Sequence, residues 1–263
     1  MSTTKKVSIK PLREQQLPQE VLDVLKRAKG EPVEKILRRV GSEGFNNAMV
    51  QTVDGRMIQG VAFLHNEKVI VGVAPQPVDL YFGIAYTFML IADQQLRKLD
   101  QIPPEEGKGF AMCWDNTFNA FLQYRISFVM LSHATLETFI NGIVPDGEYR
   151  YKRTRKVKGV ETEEFLVKEE IERLDFSEKL RKVVPSATGI DVAQTNSKLF
   201  KRILELNDIR RDVTHLRSVD NGKPVNYITV YARLAMINMR DLLDAVREYV
   251  NLIKPDTIQF TGD

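Results

Sequence analysis

Apolar residues along the chain change their period near residue 79. Before it, "AMVQTVDGRMIQGVAFLHNEKVIVGVAP" (48–75) alternates apolar and polar positions in two runs that flank Asp54-Gly55, and a third run spans Val69 to Val73 after a turn at Asn66. Alternation bounded by an Asp-Gly pair predicts a hairpin, and the third run extends it to a three-stranded meander. Ahead of the meander, "LPQEVLDVLKRAKG" (17–30) reads as a helix, with Pro18 in its first turn, Lys26 and Arg27 near its end and Gly30 as its stop. A shorter helix is predicted over Pro32 to Val40, and residues 1–17 lack periodicity and read as a flexible arm.

After residue 79 the spacing becomes helical. One helix is predicted over 79–99 and a second over 111–143, separated by the breaker sequence "IPPEEGKG" (102–109). In the second, Phe118, Leu122, Val129, Leu136, Ile140 and Ile143 recur mostly at steps of three and four. Phe121, Phe128, Leu131 and Phe139 widen that stripe, so the helix is expected to be buried on two sides, with Trp114 and the phenylalanines in the core. Residues 148–190 read as an excursion that is first basic and then acidic, with a short helix around 176–183. A helix over 196–215 carries Leu199, Ile203, Leu206, Ile209 and Val213 on one face. The loop "SVDNGKPVN" (218–226) and a last helix over 226–253 complete the pattern, leaving 256–263 as a tail. The expected fold class is mainly α: a helical domain over 79–255 with an insertion at 148–190, beside a small α+β region at 18–78.

Composition narrows the function classes. At 43% hydrophobic and 28% charged, the 263-residue chain can build a core. A single cysteine, Cys113, excludes a disulfide framework and disfavours a thiolate zinc site. The longest apolar stretch, "LYFGIAYTFMLIA" (80–92), is too short to span a bilayer, so a soluble, cytoplasmic protein without membrane association is expected. No glycine-rich phosphate loop, dinucleotide fingerprint or nucleophile elbow occurs, and no cofactor is expected. The formal net charge of +3 is nearly neutral, so any case for nucleic acid must come from the local distribution of charge.

Two stretches carry that case. "YRYKRTRKVKG" (149–159) sets Arg150, Lys152, Arg153, Arg155, Lys156 and Lys158 among Tyr149 and Tyr151. Such a strip can follow a phosphate backbone while its rings stack on bases, and the same alternation suits a solvated hairpin strand. "LELNDIRRDVTHLR" (204–217) places Arg210, Arg211 and His215 at the end of an amphipathic helix. A histidine exchanges protons near neutral pH, and an arginine holds phosphate without losing its own proton. Positive charge at a helix C-terminus is also favoured by the dipole alone. Five helical steps turn Arg210 about 140° away from His215, whereas Arg211 and Asn207 share the His215 face. Either the helix unwinds near Thr214 or two chains complete the site. His133 and Glu137 form an H-x-x-x-E pair on the long helix, too few ligands for a metal, and read as a surface pair or a supporting polar contact. His65 falls in a turn and is expected to be exposed.

"TLETFINGIV" (135–144) followed by "LNDIRRDVTH" (206–215) resembles the HEPN superfamily (higher eukaryotes and prokaryotes nucleotide-binding domains) over about residues 110–255. Arg211 stands where many members carry a small polar residue, and Arg217 where some carry a tyrosine. The resemblance implies a helical bundle and metal-independent RNA cleavage, with Arg210 holding phosphate and His215 in acid/base chemistry. It also implies a supporting polar residue of the first helix, Glu137, while helix geometry adds Arg211 and Asn207 as helpers on the His215 face. It further implies a homodimer with facing motifs, a toxin or antiviral role, and a protein partner that restrains the activity. The competing class is a non-catalytic module of the same fold that binds nucleotide or a protein partner.

Overall fold

The computed structural model describes residues 45–51, 57–66, 68–157, 160–215, 219–220, 223–224 and 227–259. The arm expected at 1–17, the helices expected at 17–30 and 32–40, the Asp54-Gly55 turn and Lys158 lie outside the described residues. The chain divides into two compact units, one within residues 8–76 and one formed mainly by residues 77–263.

The first unit contains the meander. Strands β1 (Phe45–Gln51), β2 (Met57–His65) and β3 (Lys68–Val73) pair antiparallel in the order β1-β2-β3. Gln51 faces Met57 across the first pair, and His65 faces Lys68 across the second. Asn66 makes the second turn with φ of 46°, a left-handed conformation that asparagine tolerates better than most residues. His65 is exposed, as its turn position predicts.

The second unit is mainly α. Helices α1 (Pro77–Asp100) and α2 (Thr117–Ile143) form a long pair. A hairpin of β4 (Tyr151–Val157) and β5 (Val160–Leu166) follows. Next come the short helices α3 (Lys168–Ile171) and α4 (Phe176–Glu178), a π-helical stretch Lys179–Val183, α5 (Val184–Thr188) and α6 (Val192–Thr195). Helix α7 (Ser197–Thr214) leads through the two-residue strands β6 (Val219–Asp220) and β7 (Lys223–Pro224) to α8 (Tyr227–Met236) and α9 (Met239–Ile253). Helix α2 is central and packs against α1, α5, α7, α8 and α9. Phe121, Phe128, Val129, Leu136 and Ile140 are buried along it, which gives the two-sided burial its wide apolar stripe predicts.

Three boundaries differ from the sequence reading. Helix α2 begins at Thr117 rather than 111, because the Asp115 carboxylate accepts the Thr117 backbone N–H at 2.8 Å and the chain before it is non-helical. Trp114 and Phe118, both expected in the core, are 82% and 42% exposed. The last helix is two helices, α8 and α9, broken at Ile237-Asn238. The Arg125 guanidinium, buried on α2, donates to the carbonyls of Leu234 and Ile237, and the Asn238 side chain accepts the Asp241 N–H to start α9. Asn251 fastens the tail by bonding both the N–H and the carbonyl of Ile258, whose side chain is buried. Among the described residues, no helix is long and apolar enough to cross a membrane.

Candidate functional site

Helices α2 and α7 pack together, and the π-helical stretch adds a third wall. Their polar side chains meet at His133. Its position on the helix explains its burial, since residue 133 lies four after Val129 and three before Leu136, on the apolar stripe of α2. The side chain is 4% exposed, and its ring lies 4.3 Å, centroid to centroid, from that of Phe176. Nε2 is 3.2 Å from Asn207 Oδ1 on α7, and Nδ1 is 3.8 Å from Glu137 Oε2. Burial pushes the imidazole below its ordinary pKa. The Glu137 carboxylate opposes this, while the charges of Arg210 and Lys179 reinforce it.

Lys179 opens the π-helical stretch and is 0% exposed. A buried ammonium is tolerable only when its protons are used. Here Nζ donates to Asn141 Oδ1 at 3.0 Å and to the Glu172 carbonyl at 2.5 Å, and it lies 3.5 Å from Glu137 Oε1. Glu137 thus stands between a histidine and a buried lysine.

Arg210 reaches the same cluster from α7. Among the described residues, its Nε is buried with no hydrogen-bond partner and its guanidinium makes no ion pair. A buried, unused guanidinium donor is costly, which makes this side chain an acceptor-seeking group. Its neighbours fare differently. Arg211 is 62% exposed and pairs with Asp208 at 3.2 Å. His215 lies just past the last turn of α7, exposed, with φ of −120° and ψ of 46°. Its N–H bonds the Arg211 carbonyl at 3.0 Å. The helix therefore ends at Thr214, and among the described residues no hydrogen bond joins Arg210 to His215. Of the expected site residues, Glu137, Asn207 and Arg210 come together around His133, and among the described residues no side-chain hydrogen bond or ion pair joins Arg211 or His215 to them.

Most of the basic strip forms strand β4, and its cations have intramolecular partners. Lys152 pairs with Glu163 at 2.7 Å and Arg155 with Glu164 at 3.1 Å. Arg153 holds Glu178 through two bonds of 2.9 and 2.8 Å and also meets Glu164. These carboxylates raise the pKa of Arg153 further. Arg150 donates to the carbonyls of Gly147 and Tyr149. Lys156 faces Glu161 in the strand register. The acidic run that follows in sequence folds back on the basic one, so much of the strip's positive field is spent inside the hairpin.

Sequence reasoning read His133 with Glu137 as a surface pair or a supporting polar contact without its burial or its Asn207 partner, and it missed Lys179. Both had a signal. Each occupies an apolar stripe at a step of three or four: Val129, His133, Leu136 in one case and Phe176, Lys179, Val183 in the other. Among the described residues, no group of three or more His, Cys, Asp or Glu side chains is gathered as a metal site. No family model, curated protein or solved structure matches the chain.

Proposed function

We propose that the helical unit is a HEPN-like endoribonuclease that cleaves RNA without a metal. The observation that carries this reading is the buried, unpartnered Nε of Arg210, set beside Asn207 and within a cluster that Glu137 enters from α2. That is where the HEPN resemblance puts a phosphate-holding arginine and a polar residue of the first helix. The chemistry needs little else. The ribose 2′-oxygen attacks phosphorus as its proton passes to a base, and the bond from phosphorus to the 5′-oxygen breaks as that oxygen gains a proton. The products are a 2′,3′-cyclic phosphate and a 5′-hydroxyl. Arg210 holds the phosphate as charge develops, and His215 exchanges the protons.

The exposed position of His215, apart from Arg210, fits a site completed in a homodimer, where one copy's histidine meets the other's arginine. Substrate contacts from Arg150, Lys152, Arg153, Arg155, Lys156 and Lys158 belong to the same reading, and β4 must then exchange intramolecular carboxylates for phosphates. An activity of this kind needs restraint, which fits a toxin or antiviral protein held by a partner. The pairing of β4 with β5 favours the second reading, a non-catalytic module of HEPN type that binds nucleotide or a protein.

Purified wild type and His215→Ala, incubated with end-labelled single-stranded RNA in EDTA, separate the two readings. The nuclease reading predicts products with 2′,3′-cyclic phosphate ends from wild type and none from the variant. A well-folded wild type that leaves a broad RNA panel intact overturns it in favour of the binding module.

A further inference from the structure

Asn207 and Arg210 are one turn apart on α7 and share a face. A carboxamide has two different ends, an oxygen that only accepts and an NH2 that only donates. Which end faces an anion decides whether Asn207 attracts or repels it. The ring of His133 controls that choice. Its Nε2 contact to Asn207 Oδ1, at 3.2 Å, is within hydrogen-bonding range, whereas the Nδ1 contact to Glu137 Oε2, at 3.8 Å, is not. The charged groups that face the ring are Glu137 on α2, Arg210 on α7 and Lys179 on the π-helical stretch, and Phe176 closes the remaining side. Burial, with the charges of Arg210 and Lys179, outweighs the Glu137 carboxylate and the Asn207 hydrogen bond and lowers the imidazole pKa, which favours the neutral ring. A neutral imidazole carries one N–H, and with Asn207 Oδ1 turned to the ring the short contact is a hydrogen bond when that proton sits on Nε2.

We propose that His133 is a positioning residue: as the Nε2–H tautomer it holds the Asn207 oxygen and leaves the Asn207 NH2 presented beside Arg210, as a second donor to the phosphate. This rests on the reading of Arg210 as the phosphate holder. Asn207 then touches substrate, and His133 acts only through it.

The test joins a readout on unaltered protein to one on variants. Long-range 1H–15N NMR of protein labelled with 15N-histidine reports the tautomer directly, and the inference requires the Nε2-protonated pattern for His133. Binding is read by fluorescence anisotropy with a labelled, non-cleavable 2′-O-methyl RNA oligonucleotide at fixed salt. His133→Phe and Asn207→Ala are each expected to weaken binding about tenfold, the scale of one charge-assisted hydrogen bond. The double variant should bind like Asn207→Ala alone, and His133→Gln, which keeps a donor, should recover part of the loss. An Nδ1-protonated ring, or losses that multiply in the double variant, overturns the positioning role. If wild type still binds the oligonucleotide, the nuclease reading stands without it. Wild type that neither binds nor cleaves RNA overturns that reading, and the positioning role falls with it.

Discussion

Individual residues in this protein are decided by what sits across from them. Arg125 is the clearest case. It is buried on α2, donates to two carbonyls at the end of α8 and lies 4.8 Å over the Phe121 ring. Arg125→Met should destabilise the fold by about 2–4 kcal/mol, because it strands buried carbonyls. Arg125→Lys should recover little, since an ammonium lacks the planar fork. Urea unfolding monitored by circular dichroism measures both. His133 makes a prediction about pH. Its folded pKa lies below the unfolded value of 6.5, so the unfolded chain binds the proton more readily. Its contribution is therefore complete above about pH 6.5 and is lost as the pH falls below that. The unfolding midpoint of wild type should drop more steeply on acidification than that of His133→Gln, and parallel slopes would contradict the assignment. Neither residue was legible as buried from composition, since a charged or titratable side chain is usually exposed. Its place on an apolar stripe was visible, but its partners lie 74 positions away for His133 and 109 for the Leu234 carbonyl.

At the scale of elements, periodicity gave α1 and α7 nearly at their observed bounds, and the C-terminal end of α2, because each carries a continuous buried apolar stripe; alternation about the Asp-Gly pair gave the strands of the meander. Periodicity failed where a single non-local bond ends a helix. The junction of α8 and α9 carries no proline or glycine, and only Arg125 and the Asn238 cap mark it. Asn238→Ala should cost about 1 kcal/mol through loss of that cap, readable as a shift of the thermal midpoint. The basic strip was legible as a hairpin strand but not as a neutralised one, because the register with β5 sets which carboxylate meets which cation. If β4 binds RNA, Glu163→Gln with Glu164→Gln should raise affinity severalfold and steepen the salt dependence, as cations are freed for phosphates. Unchanged affinity would remove β4 from the interface.

At the scale of the molecule, the sequence pattern changes from alternating to helical near residue 79, and the chain forms two compact units that part at Gln76 and Pro77. The tail was the exception, since Asn251 ties Ile258 into the core by two side-chain bonds that no local pattern announces. Under the nuclease reading, in which two copies complete the site, sedimentation should show a homodimer at the concentrations where RNA is cut. The most direct measurement is single-turnover cleavage of labelled RNA in EDTA by wild type, Arg210→Ala, His215→Ala and an equimolar mixture of the two variants. Wild type should cut, each variant should lose about 10²–10⁴-fold, and the mixture should regain activity by rebuilding one intact site from two chains. A wild type that cuts nothing, or variants that cut as wild type does, would contradict the assignment of Arg210 and His215 to RNA cleavage.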